Sequence, residues 1–338
     1  MNYPPKEPGY RVKFEDRRKG ALYGQAIGDA LGMPYEFDLD PESLTGLARY
    51  QPPNFKESGL GFVPGSFTDD TQQALALAWA MLDAGSGDLT LFAQNFAKRM
   101  YDWRCATKDV GYTTAMVVGH PDFLTDPLKA SEDIWDSFGR DRAANGGVMR
   151  AVGGALPIPW SGHDTLQHAA VACKVTHFDP RCVASAVAAT KALSWLIGGF
   201  PVEEAIERAA RQGARISPDS ETYIRQTDDG ILDLAEEGAS GFTYKCLGAG
   251  FWALNEFQRR TDERHDDEPY GRFWDILSRV IRAGGDTDTN AALAGALMGA
   301  HIGFSNLPLE LVEGLRDKDQ LDALLEALPP LPRVPGAA

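Results

Sequence analysis

Apolar residues recur at helical spacing along most of the chain, and no segment alternates apolar and polar residues over a convincing strand length. The periodic stretches are bounded by Gly, Pro, Ser, Thr and Asp, the residues that commonly begin and end helices. We therefore expect an all-α fold. The predicted helices span residues 17–32, 70–84, 89–104, 131–137, 164–176, 180–198, 201–213, 220–237, 244–258, 270–282, 288–304 and 318–328.

The segments between these helices are short. Gly and Pro breaks such as LGMP, FVPG and ALPIPW are spread along the chain, and no long linker divides it into halves. A length of 338 residues would allow two domains but does not require them. We expect one compact multi-helix domain over 16–328, with an extended lead-in over 1–15 and a Pro-rich tail over 329–338.

Two of the predicted helices carry glycines at positions four apart. These are Gly24, Gly28 and Gly32 near the start of the chain and Gly295, Gly299 and Gly303 near its end. Small residues at this spacing line one helix face and let two backbones approach closely. The pattern predicts two tightly crossed helices in the core.

Two helices begin with more acids than capping needs. The stretch GSFTDDTQQ places Asp69 and Asp70 before one Ala-rich helix, and RAGGDTDTNAA places Asp286 and Asp288 before another. Capping uses one such side chain, so for the first stretch alone a helix cap and a metal site remain equal alternatives. The second stretch favours one shared site.

A shared site of four carboxylates requires cations, because acids brought together unpaired repel one another. Mg²⁺ prefers carboxylate and hydroxyl oxygens, and these stretches supply both. The four acids and neighbouring threonines exceed the needs of one ion. A pair of divalent metals is therefore plausible from the residues themselves.

Other candidate residues are ambiguous when taken singly. The NGG motif at 145–147 suits a phosphate or a ribose, although turn chemistry is the more common explanation of this motif. Asp29 is either a buried acid that bonds a neighbouring segment or a catalytic group. Glu36 follows on a loop, where functional residues are common. His177, in KVTHFDP, either caps a helix dipole or lines a ligand site.

Composition narrows the class of protein. The chain has 33 basic and 48 acidic residues, for a formal net charge of -15, which disfavours broad nucleic-acid binding. No apolar run reaches the roughly 18–20 residues that span a bilayer, and the N-terminus lacks the apolar stretch of a secretory signal. The four cysteines form no C-x-x-C pair. We expect a cytoplasmic protein with reduced thiols and no membrane association.

Several motifs together resemble the ADP-ribosylglycohydrolase family, the group of dinitrogenase reductase-activating glycohydrolase and the ADP-ribosylhydrolases. The motifs are GDALGMPYEF, GSFTDDTQQALALA, DVGYTT, NGGVMR, THFDP and RAGGDTDTNAALAGALMGA, in the family's order from about residue 20 to residue 303. One departure is Ala144-Asn145-Gly146, where many members have Gly-Asn-Gly. That departure affects the shape expected of the adenosine pocket.

The resemblance implies two Mg²⁺ or Mn²⁺ ions in a central cleft. Its metal ligands match Thr68, Asp69, Asp70, Asp286, Asp288 and Thr289, with Asp288 as the bridge. Its substrate-binding residues match Glu36, Asn145, Gly146, Gly147, His177 and Gly285. Glu36 and Asp69 are the two candidates for proton transfer in catalysis, and the sequence does not decide between them.

The implied activity is hydrolysis of the bond between the distal ribose of ADP-ribose and an acceptor. We expect an ADP-ribosylated protein or a small ADP-ribose conjugate as partner, with arginine the first choice of linkage and serine the second, and a monomeric enzyme. Two alternatives remain open. One is a dimetal phosphoesterase acting on a nucleotide diphosphate, and the other is a catalytically inactive ADP-ribose-binding or structural relative.

Overall fold

The structure is a computed structural model that describes residues 10–37, 61–85, 87–157, 162–226, 233–262 and 269–330. Its α-helices are α1 (Tyr10–Gly32), α2 (Asp69–Ala84), α3 (Leu89–Ala106), α4 (Tyr112–Val118), α5 (Pro127–Ser137), α6 (Ala151–Ala155), α7 (Gly162–Lys174), α8 (Pro180–Ile197), α9 (Val202–Ala214), α10 (Ser220–Arg225), α11 (Thr243–Asp262), α12 (Pro269–Arg282), α13 (Thr287–Ile302), α14 (Leu309–Gly314) and α15 (Lys318–Ala327). Single turns of 3₁₀ helix lie at Met33–Tyr35, Asn145–Gly147 and Phe304–Asn306.

The all-α prediction is confirmed. Within the described residues the β structure amounts to one isolated antiparallel bridge between Ala144 and Phe242. The short helices α4, α6 and α14 were not predicted, because helices of 5 to 7 residues are too short to show a helical period. None of the described helices is long and apolar enough to cross a membrane.

The predicted helix over 220–237 is wrong in its second half. The helix α10 ends at Arg225, and residues 233–237 are not helical, while 227–232 lie outside the described residues. The sequence TDDG at 227–230 contains residues that favour turns, and the apolar spacing beyond it was misread as a continuation.

The first helix begins at Tyr10, so residues 10–15 of the expected lead-in are helical. The start of the lead-in and most of the Pro-rich tail, residues 1–9 and 331–338, lie outside the described residues. Near the other end of the chain, Arg18 of α1 donates to the carbonyl of Pro329 at 3.2 and 3.1 Å, and Tyr23 donates to Asp322 at 2.8 Å. The C-terminal segment therefore packs against α1 as far as Pro329, where the Pro-rich tail begins.

The helices α1 and α13 cross with their backbones in contact. A Cβ at Gly24 would overlap the carbonyl of Gly295, and a Cβ at Gly28 would overlap that of Ala291. The predicted crossing is confirmed with one change. Gly303 ends α13 with a φ of 84°, and Gly20, rather than Gly303, continues the contact by facing Gly299.

This crossing joins the end of α1 to the start of α13. The Thr287 hydroxyl donates to the carbonyl of Gly32 at 2.8 Å, and the Phe37 amide donates to the carbonyl of Gly285 at 2.9 Å. Glu36 follows α1 after the single 3₁₀ turn at Met33–Tyr35. Because the glycine backbones of the two helices are in close contact, Glu36 lies near the acids that begin α13.

Candidate metal and ADP-ribose site

The start of α2 is held by Asp29 of α1. Its Oδ1 accepts from the amide and hydroxyl of Thr68, both at 2.8 Å, and its Oδ2 accepts from the amide and hydroxyl of Thr71 at 3.0 and 2.7 Å. Complete burial raises the pKa of Asp29 to about 6, and these four donated hydrogen bonds oppose the rise. Asp29 therefore bonds a neighbouring segment, as one of its two sequence interpretations proposed.

Because Asp29 satisfies this helix start, the helix's own acids are not needed as caps. Asp69 lies partly exposed and accepts from Gln73 Nε2 at 3.0 Å. Asp70 is fully buried, and neither of its oxygens has a hydrogen-bond partner among the described residues. A buried carboxylate left unpaired costs free energy unless a proton or a cation neutralises it.

The pKa of Asp70 is raised well above its usual range by burial and then by the charges of Asp29, Asp69 and Asp286, while contact with the Thr289 hydroxyl opposes the rise. The neighbouring pKa of Asp69 is also raised well above its usual value, first by burial. Thr289 and Asp286 belong to the other acidic stretch, and the helices α2 and α13 are in direct contact, so the two helix starts lie side by side.

At the start of α13 three carboxylates converge. Glu36, Asp286 and Asp288 each place one oxygen within 4.8 Å of the others. Asp286 Oδ2 accepts from Asn145 Nδ2 at 2.9 Å, whereas its buried Oδ1 has no partner among the described residues. Asp288 Oδ1 accepts from the Thr289 amide at 2.8 Å. Neutral donors therefore position these acids without neutralising them.

The electrostatics of this cluster suit a divalent cation. Burial and then Asp286 raise the pKa of Glu36 to about 8, and burial followed by Glu36 raises the pKa of Asp288 well above its usual range. The available donors are hard oxygens, several of them unpaired, which is the ligand chemistry of Mg²⁺ and Mn²⁺. The residues therefore fit a metal ion.

A cavity of about 630 Å³ opens beside the acids. The predicted site residues that line it are Glu36, Asp69, Asn145, Gly146, His177, Asp286, Asp288 and Thr289. The lining does not include the other four predicted residues, which are Thr68, Asp70, Gly147 and Gly285. Thr68 is turned to Asp29, while Gly147 and Gly285 lie against Cys173 and the carbonyl of Leu234.

His177 forms a wall of the cavity and packs on the NGG turn. A Cβ at Gly146 would lie 2.6 Å from Cε1 of the imidazole, so glycine is required there. Burial and the nearby Arg150 lower the pKa of His177 to about 3, which keeps the ring neutral. The Thr176 hydroxyl lies 2.8 Å from Nδ1. Of its two sequence interpretations, the structure places His177 against the ligand cavity.

A buried arginine connects the two sides of the site. Arg150 donates through Nη1 to Gln73 Oε1 at 2.8 Å and through Nη2 to Thr176 Oγ1 at 2.6 Å. Gln73 in turn donates to Asp69, and Thr176 contacts His177. Burial lowers the pKa of Arg150 to about 10, so it remains charged at neutral pH. This link was not predicted, and its one signal was a charge inside the otherwise apolar run GGVMRAVGG.

The lining also contains residues that were not predicted, Asp109, Tyr112 and Arg142 among them. Asp109 belongs to the DVGYTT motif, and burial and then Asp286 raise its pKa. Tyr112 and Arg142 also line the cavity. Both stand in loops or at helix ends with no periodic pattern, so the charged GRDRA segment was the available signal for Arg142.

The all-α fold and its cavity define a helical protein with a cluster of acidic side chains beside a large cavity. The chain belongs to the ADP-ribosylglycohydrolase family, whose model matches residues 11–337. It is accordingly a hydrolase of the glycosidic bond between ADP-ribose and an acceptor, as the sequence resemblance predicted.

Sequence similarity to three hydrolases extends over almost the whole chain. It is 27% identical to the ADP-ribosylarginine hydrolase Tri1 of Serratia proteamaculans, over 93% of this chain and 79% of the relative. It is 27% identical to the ADP-ribosyl-[dinitrogen reductase] glycohydrolase of Rhodospirillum rubrum, over 92% and 96%. To the human ADP-ribosylhydrolase ARH3 it is 25% identical, over 92% of each chain.

A solved structure supports the same fold. The chain superposes on a protein described as an ADP-ribosylglycohydrolase-related protein complex with a TM-score of 0.66 and 26% sequence identity. The match covers 94% of this chain and 98% of that chain. The similarity therefore extends over the complete helical domain rather than over the motifs alone.

Proposed function

We propose that this protein is a hydrolase dependent on two Mg²⁺ or Mn²⁺ ions that releases ADP-ribose from a modified protein side chain, arginine first and serine second. One observation carries the proposal. Glu36, Asp286 and Asp288 converge beside a cavity of about 630 Å³, a volume suited to a nucleotide-sized ligand, and buried carboxylate oxygens of Asp70 and Asp286 lack hydrogen-bond partners among the described residues.

The donor set supports two ions rather than one. Asp70, Asp286 and Asp288 would hold the metal, with further oxygens from Thr68, Asp69 and Thr289. When bound, divalent ions supply charge to orient ribose hydroxyls and a water at the anomeric carbon. The Thr68 hydroxyl already donates to Asp29, which leaves its oxygen lone pairs available as a ligand.

Glu36 is our first candidate for the proton-transfer step. It lies beside Asp286 and Asp288 but outside both helix starts, and burial together with Asp286 raises the pKa of Glu36 in the metal-free protein. A general acid in this position would protonate the acceptor as it leaves. Asp69 also lines the cavity and is the second candidate, held in place by Gln73.

The acid-rich wall supports a cationic acceptor. Asp109 lines the cavity together with Glu36 and Asp69, and carboxylates favour a guanidinium leaving group over a neutral hydroxyl. The Serratia proteamaculans relative is named an ADP-ribosylarginine hydrolase, which agrees with this order. The substrate is accordingly an ADP-ribosylated protein or a small conjugate of the same linkage.

Product analysis tests the proposal. ADP-ribosyl-arginine and ADP-ribosyl-serine peptides are incubated with the enzyme in Mg²⁺, in Mn²⁺ and in EDTA, and the products are separated by mass spectrometry. We expect free ADP-ribose and unmodified peptide with either metal, faster from arginine, and no product in EDTA. Release of AMP would identify a phosphoesterase, and binding of ADP-ribose without turnover would identify an inactive relative.

A further inference from the structure

The cavity is unevenly charged for a ligand that contains a diphosphate. Two arginines line it, Arg142 and Arg181. The acidic residues of the lining are Glu36, Asp69, Asp109, Asp141, Asp286 and Asp288. A diphosphate entering this wall is repelled by the carboxylates unless a cation is available at the point where it binds. The binding of a diphosphate therefore depends on whether Arg142 or Arg181 is already paired with a carboxylate.

Arg181 is already neutralised. Its Nε and Nη2 donate to the two oxygens of Asp179 at 2.9 and 2.8 Å, and Nη2 also donates to Asp141 at 2.7 Å. Asp179 is buried and holds these bonds in a low-dielectric setting. Because two carboxylates share this guanidinium, it contributes no net positive charge to the cavity.

Arg142 has a different environment. No carboxylate lies within ion-pair distance of it among the described residues, and its one hydrogen bond is a long contact of 3.4 Å from Nε to the Thr113 hydroxyl. Its guanidinium stands over two aromatic rings, 5.3 Å from the centroid of Tyr112 and 5.2 Å from that of Phe138. Aromatic faces orient a guanidinium without removing its charge or occupying its donors.

The segment that carries Arg142 also contacts an acid of the cluster. Ala143 and Asn145 are tied to the start of α11 by hydrogen bonds from Thr243 N to Ala143 O at 2.9 Å and from Asn145 N to Gly241 O at 3.0 Å. The Asn145 side-chain amide donates to Asp286 at 2.9 Å. Arg142 therefore precedes, by three residues, the side chain that holds Asp286, and both Arg142 and Asp286 line the cavity.

We propose that Arg142 binds the diphosphate of the ADP-ribose moiety. The inference rests on the proposed function and adds to it a specific anion-binding residue of this chain. Two N–H groups of a planar guanidinium match two oxygens of a phosphate, and such charge-assisted bonds are among the stronger ones in proteins.

Calorimetric titration with ADP-ribose in Mg²⁺ tests the inference on the full chain. Arg142→Gln should weaken binding by about 10- to 100-fold, the range expected for losing charge-assisted hydrogen bonds. Arg142→Lys keeps the charge but not the planar donors and should regain part of the affinity. The matched control is Arg140→Gln, because Arg140 lies two residues away, pairs with Asp136 and is not part of the lining.

Kinetics and salt dependence separate binding from a structural effect. Arg142→Gln should raise KM while leaving kcat within about threefold of wild type, and it should reduce the loss of ADP-ribose affinity caused by added NaCl. Equal affinity for ADP-ribose in wild type and Arg142→Gln would overturn the inference and leave the proposed function intact, as would equal losses in Arg142→Gln and Arg140→Gln. Absence of both ADP-ribose binding and turnover in the wild type would instead overturn the proposed function.

Discussion

The starts of α2 and α13 have similar sequences and different surroundings. Each begins with two acids among threonines. The start of α2 is held by an acid, Asp29, which takes four hydrogen bonds from Thr68 and Thr71. The start of α13 is held by neutral groups, the Asn145 amide and the carbonyl of Gly32.

This difference separates two tasks that look alike in the sequence. At α2 the amides and hydroxyls of Thr68 and Thr71 are satisfied by Asp29 of α1, whereas the carboxylate of Asp70 has no hydrogen-bond partner among the described residues. At α13 the carboxylates of Asp286 and Asp288 face Glu36 with neutral partners only. We infer that α13 is the half of the site whose order depends on bound metal.

The largest effect should come from removing the acids of α13. A ligand that binds only the folded state stabilises it by about 2.7 kcal/mol at a hundredfold excess over Kd. Mg²⁺ or Mn²⁺ should therefore raise the melting temperature of the wild type, and the double change Asp286→Asn with Asp288→Asn should abolish this rise together with turnover. Thermal unfolding with and without metal measures the effect.

Asp88 offers a matched control for that experiment. It begins α3 and caps it in the ordinary way, by accepting from the amides of Thr90 and Leu91 at 2.9 and 3.0 Å. Asp88→Asn should retain the full response to metal. A double variant of Asp286 and Asp288 that still responds to metal would place the ions elsewhere.

Glu36→Gln should separate metal binding from chemistry. The change keeps the shape of the side chain and removes its proton transfer, so we expect kcat to fall by about 10²- to 10⁴-fold while ADP-ribose binds within about tenfold of wild type. Single-turnover hydrolysis and calorimetry measure the two quantities, with the exposed Glu310→Gln as control. Wild-type turnover in Glu36→Gln would move the proton-transfer role to Asp69.

Asp29 holds the start of α2 and Asn145 holds the start of α13, and their removal should lower the free energy of unfolding by different amounts. Asp29→Ala leaves the buried amides and hydroxyls of Thr68 and Thr71 without an acceptor, and each orphaned group costs about 1–3 kcal/mol. Asn145→Ala removes a single hydrogen bond, donated to the Asp286 carboxylate and worth about 1.5–3 kcal/mol. Denaturant unfolding in EDTA should therefore show the larger loss for Asp29→Ala. Equal losses would remove the distinction drawn between the two starts.

The smallest effect concerns pH. Acids with raised pKa values in the folded state stabilise it below their unfolded pKa, and this contribution is lost as pH rises through the folded value. The pKa of Glu36 is about 8 and that of Asp70 is also raised, whereas His177 and His301, with pKa values near 3 and 4, are neutral above pH 7.

Stability in EDTA should accordingly fall between about pH 7 and pH 8, the upper part of the interval between the unfolded and folded pKa of Glu36. Saturating Mg²⁺ should flatten the dependence, because bound cations replace protons on the acids. Glu36→Gln should reduce the slope in EDTA. Denaturant midpoints across this range check the prediction, and a midpoint in EDTA that rises with pH would contradict it.

Patterns local in the chain predicted much of the molecule. Helical spacing gave the longer helices, the glycines at every fourth position gave the crossing of α1 and α13, and paired acids after Gly-Gly or before an Ala-rich run marked both helix starts. These features work because each is a property of one helix face or one helix end, which the nearest few residues determine.

Pairings distant in the chain were not predictable in the same way. Asp29 and Thr68 are 39 residues apart, and Arg150 and Gln73 are 77 apart. No local pattern says that a charge on one helix will find its partner on another. Arg142 is a similar case. Its guanidinium charge is unpaired because aromatic rings lie beside it and no carboxylate among the described residues lies within ion-pair distance.

The most direct measurement of a shared site is anomalous diffraction from crystals grown with Mn²⁺. We predict two anomalous peaks with oxygen-only ligands drawn from both helix starts, Asp70 from α2 together with Asp286 and Asp288 from α13. Peaks held by residues of one start alone, or located away from the cavity, would contradict the proposal that these two helices build one metal centre.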